Sequence, residues 1–399
     1  MSRAAWSACV AAVCLAIGLF AGLSPRQLPA GEPSLDARQR PNEYVGPGRE
    51  VPEPKDVAEV RIGYFGPGDP AHPDAGDLWA AAQLAVEEAN AQGGYRGKPF
   101  RLVAGWSDDP WRGGAAHVAR LVYAENVWAV VGGIDGVSTH LAEQVAAKAL
   151  LPLLSAASTD RSANAAFVPW MFSCLPGDHL QAPVLVDDMV KKIARKPFVV
   201  VSADDHDSRA FLDELVRCLK KHQMAPAYQF ACRASAAEAS DVVGRAVRAG
   251  PAAVVLVAGP RPSARLIAAL RGAGFRGPVF GTSAMGRRQF LEQAGRAAEG
   301  AVFPLLVDPQ PRAEHFREAF HRRYQRDPDF AAASTYDTVQ LLVAAIRRAG
   351  LNRVKIYDAI KEVVPWKGVA GTIAWDARGS NTRPVHLGTI TDGRIVPAR

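Results

Sequence analysis

Asp205, His206 and Asp207 stand side by side in Ala203-Asp-Asp-His-Asp-Ser. An imidazole between carboxylates is the material of a metal site or an acid–base pair. Adjacent side chains point in different directions, however, and no distant His or Cys has a matching spacing, so the sequence assigns no metal. Asp207 reads as a helix cap or as the rim of a cleft. Catalytic patterns are absent: there is no G-x-S-x-G elbow, no phosphate loop ending in G-K-S/T, and no H-E-x-x-H. The nine histidines are dispersed. Neither an enzymatic activity nor a cofactor is expected.

Three other loops follow strand-like runs and open helices: Gly66–Asp77, Gly132-Gly-Ile-Asp-Gly-Val-Ser-Thr, and Ser155-Ala-Ala-Ser-Thr-Asp. The unpaired amides of a helix start favour an anionic group, so such loops can hold a carboxylate without a side-chain cation. Ser138, Thr139, Ser158 and Thr159 can equally serve as caps for the helices they precede. Gly259-Pro-Arg-Pro and Gly281-Thr-Ser-Ala end later strands and offer a facing wall. Gly272-Ala-Gly-Phe-Arg-Gly spells the dinucleotide fingerprint, but it follows a helix and precedes a strand. That order is reversed, so its glycines serve to end a helix.

The elements that must position these loops alternate regularly. Short apolar runs at Val60–Phe65, Phe100–Trp106, Ala129–Val131 and Leu151–Ser155 read as parallel strands covered on both faces. So do Phe198–Ser202, Tyr228–Cys232, Ala253–Ala258, Val279–Gly281 and Ala301–Leu306. Between them lie amphipathic stretches, with Leu78, Ala82, Ala85, Val86 and Ala89 on one face and Phe211, Leu215 and Leu219 on another. The alternation breaks near Ser173–Asp178, restarts at Phe198, and returns in helices over Arg312–Tyr324 and Ala331–Ala349. The fold class is α/β: two doubly wound lobes with right-handed crossovers, joined by a hinge.

The chain has 399 residues and a formal charge of +7, with its Lys and Arg scattered. No basic stripe interleaved with aromatics marks a nucleic-acid partner. Arg3 precedes the uncharged apolar run Ala4–Leu23, so residues 1–30 read as a signal peptide or, if uncleaved, a membrane anchor. Residues 31–58, rich in Pro, Gly and charge, read as a tether. Cys174, Cys218 and Cys232 follow. A Cys218–Cys232 bridge and burial as small apolar groups are both compatible with their positions.

The wording of several segments resembles one family. Asn90-Ala-Gln-Gly-Gly-Tyr-Arg-Gly, Trp106-Ser-Asp-Asp-Pro, Val130-Val-Gly-Gly, Leu151-Pro-Leu-Leu-Ser-Ala-Ala-Ser, Thr335-Tyr-Asp-Thr and Gly371-Thr-Ile-Ala-Trp-Asp occur in an order similar to that of type I periplasmic solute-binding proteins, in their branched-chain amino-acid receptor branch. The resemblance implies two lobes, residues 59–175 with 305–385 and residues 176–304 with 386–399, joined by a multi-strand hinge. It implies a periplasmic or extracytoplasmic location, a small polar, carboxylate-bearing ligand (an amino acid or analogue) and an ABC permease as partner. In amino-acid-binding relatives the ligand carboxylate sits on loops matching Gly136-Val137-Ser138 and Ala156-Ala157-Ser158. The acidic clamp that relatives place on the ammonium is replaced here by Ser283, an aromatic is replaced by Pro260, and Asp207 is the acid left to substitute. An anchored ligand sensor with the same fold is the alternative.

Overall fold

The computed structural model describes residues 43–398, apart from 233–235 and 309–310. The N-terminal apolar run therefore lies outside the described residues, as does the first part of the tether. Among the described residues no helix is long and apolar enough to cross a membrane.

Strands β1 (Val60–Phe65), β2 (Phe100–Gly105), β3 (Val130–Gly132), β4 (Leu153–Ser155) and β5 (Met171–Ser173) form a parallel sheet in the order β2-β1-β3-β4-β5. A second sheet starts with β6 (Phe198–Ala203), β7 (Tyr228–Cys232), β8 (Ala253–Val257), β9 (Val279–Gly281) and β10 (Val302–Leu305), again parallel. Strands β11 (Trp366–Lys367) and β12 (Thr372–Ile373) make a separate antiparallel ribbon. Then β13 (His386–Thr391) and β14 (Arg394–Pro397) close the second sheet antiparallel, giving β14-β13-β10-β9-β8-β6-β7. All five residues of β8, Ala-Val-Val-Leu-Val, are buried, as the apolar run requires of a strand covered on both faces.

Helices flank both sheets. The helix Phe330–Ala349 packs on Gly76–Ala91, whose Ala80, Ala81 and Ala85 are fully buried in the shared core. Small side chains there let the two backbones approach closely. Helix Pro260–Gly272 ends before Gly274, which takes φ 85°. A left-handed residue after the last turn is what the misplaced glycine fingerprint was expected to supply.

The chain passes from one sheet to the other after β5, after β10 and before β13. Leu175, Leu306 and Val385, one from each crossing, pack in a single small apolar cluster with Leu180, Val184 and Phe330. Arg383 ties the crossings further, donating to the carbonyls of Leu306 and Ala370 (2.6 and 2.5 Å), while Asn381 donates to the Cys174 carbonyl at 2.6 Å.

From residue 43 to the first strand, the chain lies against the body. Tyr44 packs at a tilt against Trp170 with ring centroids 4.8 Å apart, Arg49 pairs with Asp358 at 2.7 Å, and Tyr95 donates to Glu53 at 2.5 Å. Cys218 is a free thiol packed with Val200 and Val255. Cys232 belongs to the cluster of Val199, Val201 and Leu256. Alternate residues of a strand face opposite sides of the sheet. The sheet thus stands between the two sulfurs, and burial, not a bridge, describes them.

Candidate functional site

The carboxyl ends of β3 and β4 face those of β6, β8 and β9 across a cavity of about 360 Å³. Asp135 begins the wall on the first sheet. It caps the helix Gly136–Lys148, accepting from the Ser138 amide at 2.8 Å, and the Ser138 hydroxyl in return accepts from the Ile134 amide at 3.0 Å. Ser138 is fully buried by this reciprocal cap and does not line the cavity. Ser158 behaves alike, accepting from the Asp160 amide at 3.2 Å. Ala156 is buried behind the wall and Val137 is half-buried outside it, whereas Ala157 and Thr159 line it.

The opposite wall comes from the second sheet. Asp205 caps the helix His206–Lys221, accepting from the Ser208 amide at 2.8 Å. Asp207, freed from capping, reaches across the cleft. Its two carboxylate oxygens accept from the Gly136 amide at 2.9 and 3.2 Å. A protein carboxylate therefore sits at the helix start expected to take a ligand's. A Cβ on Gly136 would stand 2.3 Å from Asp207 Oδ1, so this approach requires glycine. Pro260 and Ser283 also line the cavity, as does Phe211, one helical turn beyond Asp207. That turn of spacing was the available signal for an aromatic near Asp207.

Electrostatics in the cavity are one-sided. Asp74, Asp135, Asp178, Asp205 and Asp207 line it, against Arg287 as the one cation among the described lining residues. Arg287 is already committed, donating to Asp329 at 2.6 Å and to the Asp74 carbonyl at 3.0 Å. Burial pushes the Asp207 carboxyl up to about 7, with repulsion from Asp135 adding to it and the Gly136 amide opposing. Burial likewise raises Asp178 well above the usual carboxylate range. Sequence reasoning missed Asp178, although an acid directly after Pro176-Gly177 at a helix start was the signal for it.

Beside the cavity, His140 on the Gly136 helix, Asp160 after β4 and His206 converge. Asp160 Oδ2 lies 3.0 Å from His140 Nε2 and 2.7 Å from His206 Nε2. Hydrogen bonds to Asp160 and Glu143 push the His140 imidazole up to about 10. Burial opposes ionisation of Asp160, but His140, His206 and Ser162 together hold it well below its ordinary value.

Two facing walls at strand ends, lined by acidic side chains, have the form of a ligand cleft. The family model described as periplasmic binding protein matches residues 59–394. The chain belongs to the periplasmic binding proteins. Among its relatives is the amino acid binding protein of Pseudomonas aeruginosa, 26% identical over 330 residues, which cover 81% of this chain and 87% of that one. The Leu/Ile/Val-binding protein homolog 2 of Brucella abortus is 24% identical, with 81% and 87% covered.

Solved structures agree on the fold. The branched-chain amino acid transporter substrate binding protein of Streptococcus pneumoniae, in complex with isoleucine, superposes with a TM-score of 0.77 at 22% identity, covering 84% of this chain and 97% of that one. A solute binding protein from R. palustris in complex with benzoate gives 0.76 at 16% identity, covering 85% and 95%. The same two-lobed scaffold thus holds an amino acid in one protein and an aromatic carboxylate in the other. The fold of this periplasmic binding protein therefore does not by itself name a ligand.

Proposed function

We propose that this chain is a non-enzymatic, exported receptor that captures a small amine-bearing solute of the amino-acid class for ABC-type uptake. Its lobes, residues 59–175 with 305–385 and residues 176–304 with 386–399, would close on the solute about the three crossings clustered at Leu175, Leu306 and Val385. The reading is carried by one observation: a cavity between the sheets whose wall holds five acidic side chains and, among the described lining residues, a single, already paired arginine. Such a wall attracts an ammonium group and repels a solute that is only anionic.

Asp207 is assigned two roles. Across the cleft it takes the Gly136 amide. When an amino acid enters, the ligand carboxylate replaces it at the helix start, and the released Asp207, with Asp178, receives the ammonium. Ala157, Thr159, Pro260 and Ser283 shape the remainder of the cavity. The P. aeruginosa relative's description as an amino acid binding protein supports the ligand class.

Isothermal titration against neutral and basic amino acids, their decarboxylated amines and simple carboxylates tests this. Amine-bearing ligands are expected to bind and to lose at least about tenfold in affinity in Asp207→Ala, the scale of a lost charge-assisted contact. Tight binding of leucine or valine that survives Asp207→Ala overturns it, as does binding confined to carboxylates without an amine.

A further inference from the structure

We propose that His140, Asp160 and His206 form a divalent transition-metal site, of the zinc type, that bridges the two lobes at the edge of the cleft. Nε2 of His140, Nε2 of His206 and an oxygen of Asp160 all lie within 4.8 Å of one another. A tetrahedral zinc ion holds its nitrogen and oxygen ligands at about 2.0–2.2 Å, so ligand atoms stand roughly 3.3–3.5 Å apart around it. The observed spacing is near enough for small ring rotations to seat the ion, with the proton that His140 Nε2 shares with Asp160 released to solvent as zinc replaces it. Two imidazoles and one carboxylate, with a position left for water or solute, suit zinc and its first-row neighbours better than calcium or magnesium, which favour all-oxygen sets.

The surroundings hold the donors in place. Asp160 is buried, and its Oδ1 accepts from both the amide and the hydroxyl of Ser162 at 2.7 Å, which leaves Oδ2 to face the two rings. Glu143, one turn along the helix, places its Oε2 3.4 Å from His140 Nδ1. A carboxylate on the far ring nitrogen is the usual device that orients a ligating histidine and raises its basicity. Glu143 is buried and its other oxygen has no hydrogen-bond partner, so it is not diverted elsewhere. The His140 and His206 side chains remain 26% and 35% exposed, which gives an ion a path from solvent.

The topology gives the site its consequence. His140 lies on the helix that follows β3 and Asp160 in the loop after β4, both on the side of the first sheet, whereas His206 opens a helix of the second. An open cleft presents two ligands and a closed one three, so the ion favours closure and closure favours the ion. His206 also precedes Asp207, which contacts the Gly136 amide. The ion would thus hold shut the same edge that the solute closes. The metal site needs no solute to be tested, so its failure and that of the solute reading are distinguishable.

Zinc chloride is titrated into the chelator-stripped full chain, prepared without added histidines, and into His140→Gln and His206→Gln. The expected result is one zinc per chain, with affinity reduced at least about tenfold in each variant. Small-angle scattering should show zinc-induced compaction in the wild type and none in His206→Gln. Both substitutions fall on half-exposed side chains, and unchanged circular dichroism confirms folding. Zinc that fails to bind, binds equally to all three proteins, or depends on His140 but not His206 overturns the proposal.

Discussion

Ser138 illustrates how a residue type can be read correctly and its job still lie elsewhere. Its hydroxyl is spent on the cap with Asp135 and is fully buried. Ser138→Ala should therefore lower stability by roughly 0.5–2 kcal/mol, the range for a lost cap. It should change solute affinity less than twofold, as read by calorimetry beside chemical unfolding. Asp337 gives the pH counterpart. It is buried in the helix Phe330–Ala349, accepts from the amides of Val369 and Ala370 at 2.7 Å each, and burial pushes it up to about 7. The folded state then binds this proton more tightly than the unfolded chain, where the carboxyl titrates near 3.8. The contribution is complete below about 4 and is lost as pH rises through 7. Asn in its place keeps one acceptor and loses the other, costing about 1–3 kcal/mol at pH 5. The gap between wild type and Asp337→Asn should narrow by pH 8, when the wild type has lost its own contribution. A gap that widens over that range refutes the assignment.

At the scale of elements, helix starts carry much of the architecture. Asp77, in the first turn of Gly76–Ala91, is fully buried and held by Arg288 at 2.8 Å from the second lobe and by Arg326 at 2.6 Å from the first. Asp77→Ala leaves two guanidiniums facing a helix N-terminus. Both remain about a quarter exposed, so the loss is set at about 2–4 kcal/mol, below the full cost of a broken buried pair. Urea unfolding measures it. Elements of this kind were only partly visible in the sequence. Strands β1 to β4 and β6 to β10 were legible because each is an apolar run between glycine or proline signals. Strand β5 was not: Met171-Phe172-Ser173 is too short for a pattern, and its pairing with β4 sets it. Strands β13 and β14 carry mixed residues with one exposed face, so only their place beside β10 makes them strands. Of the site, Asp207, Pro260, Ser283 and Ala157 were legible from their positions at strand ends. The partnership of His140 with His206 was not, because it exists only once two sheets face each other.

At the scale of the whole molecule, closure depends on what the cleft edges allow to touch. Gly136 sits close under the facing helix: an added Cβ would lie 2.3 Å from Asp207 Oδ1, 2.9 Å from His206 Cδ2 and 3.0 Å from Asp160 Oδ2. Asp207 and His206 both stand in the first turn of the facing helix His206–Lys221. The backbone of Gly136 is helical, so alanine there has better helix propensity, and within its own lobe it crowds only Asp160 Oδ2. Gly136→Ala should then act as a wedge: the lobes are held apart because the nearest clashes, with Asp207 and His206, arise only in the closed state. Scattering without solute should show a larger radius of gyration than wild type, and solute affinity should fall. Removing the facing carboxylate relieves the nearest clash, so Gly136→Ala with Asp207→Ala should recover part of the compaction. The double variant is the decisive arm. If Gly136→Ala closes as readily as wild type, the Asp207 bridge is not a feature of the closed cleft. If the double variant stays as open as the single one, the wedge acts through something other than Asp207.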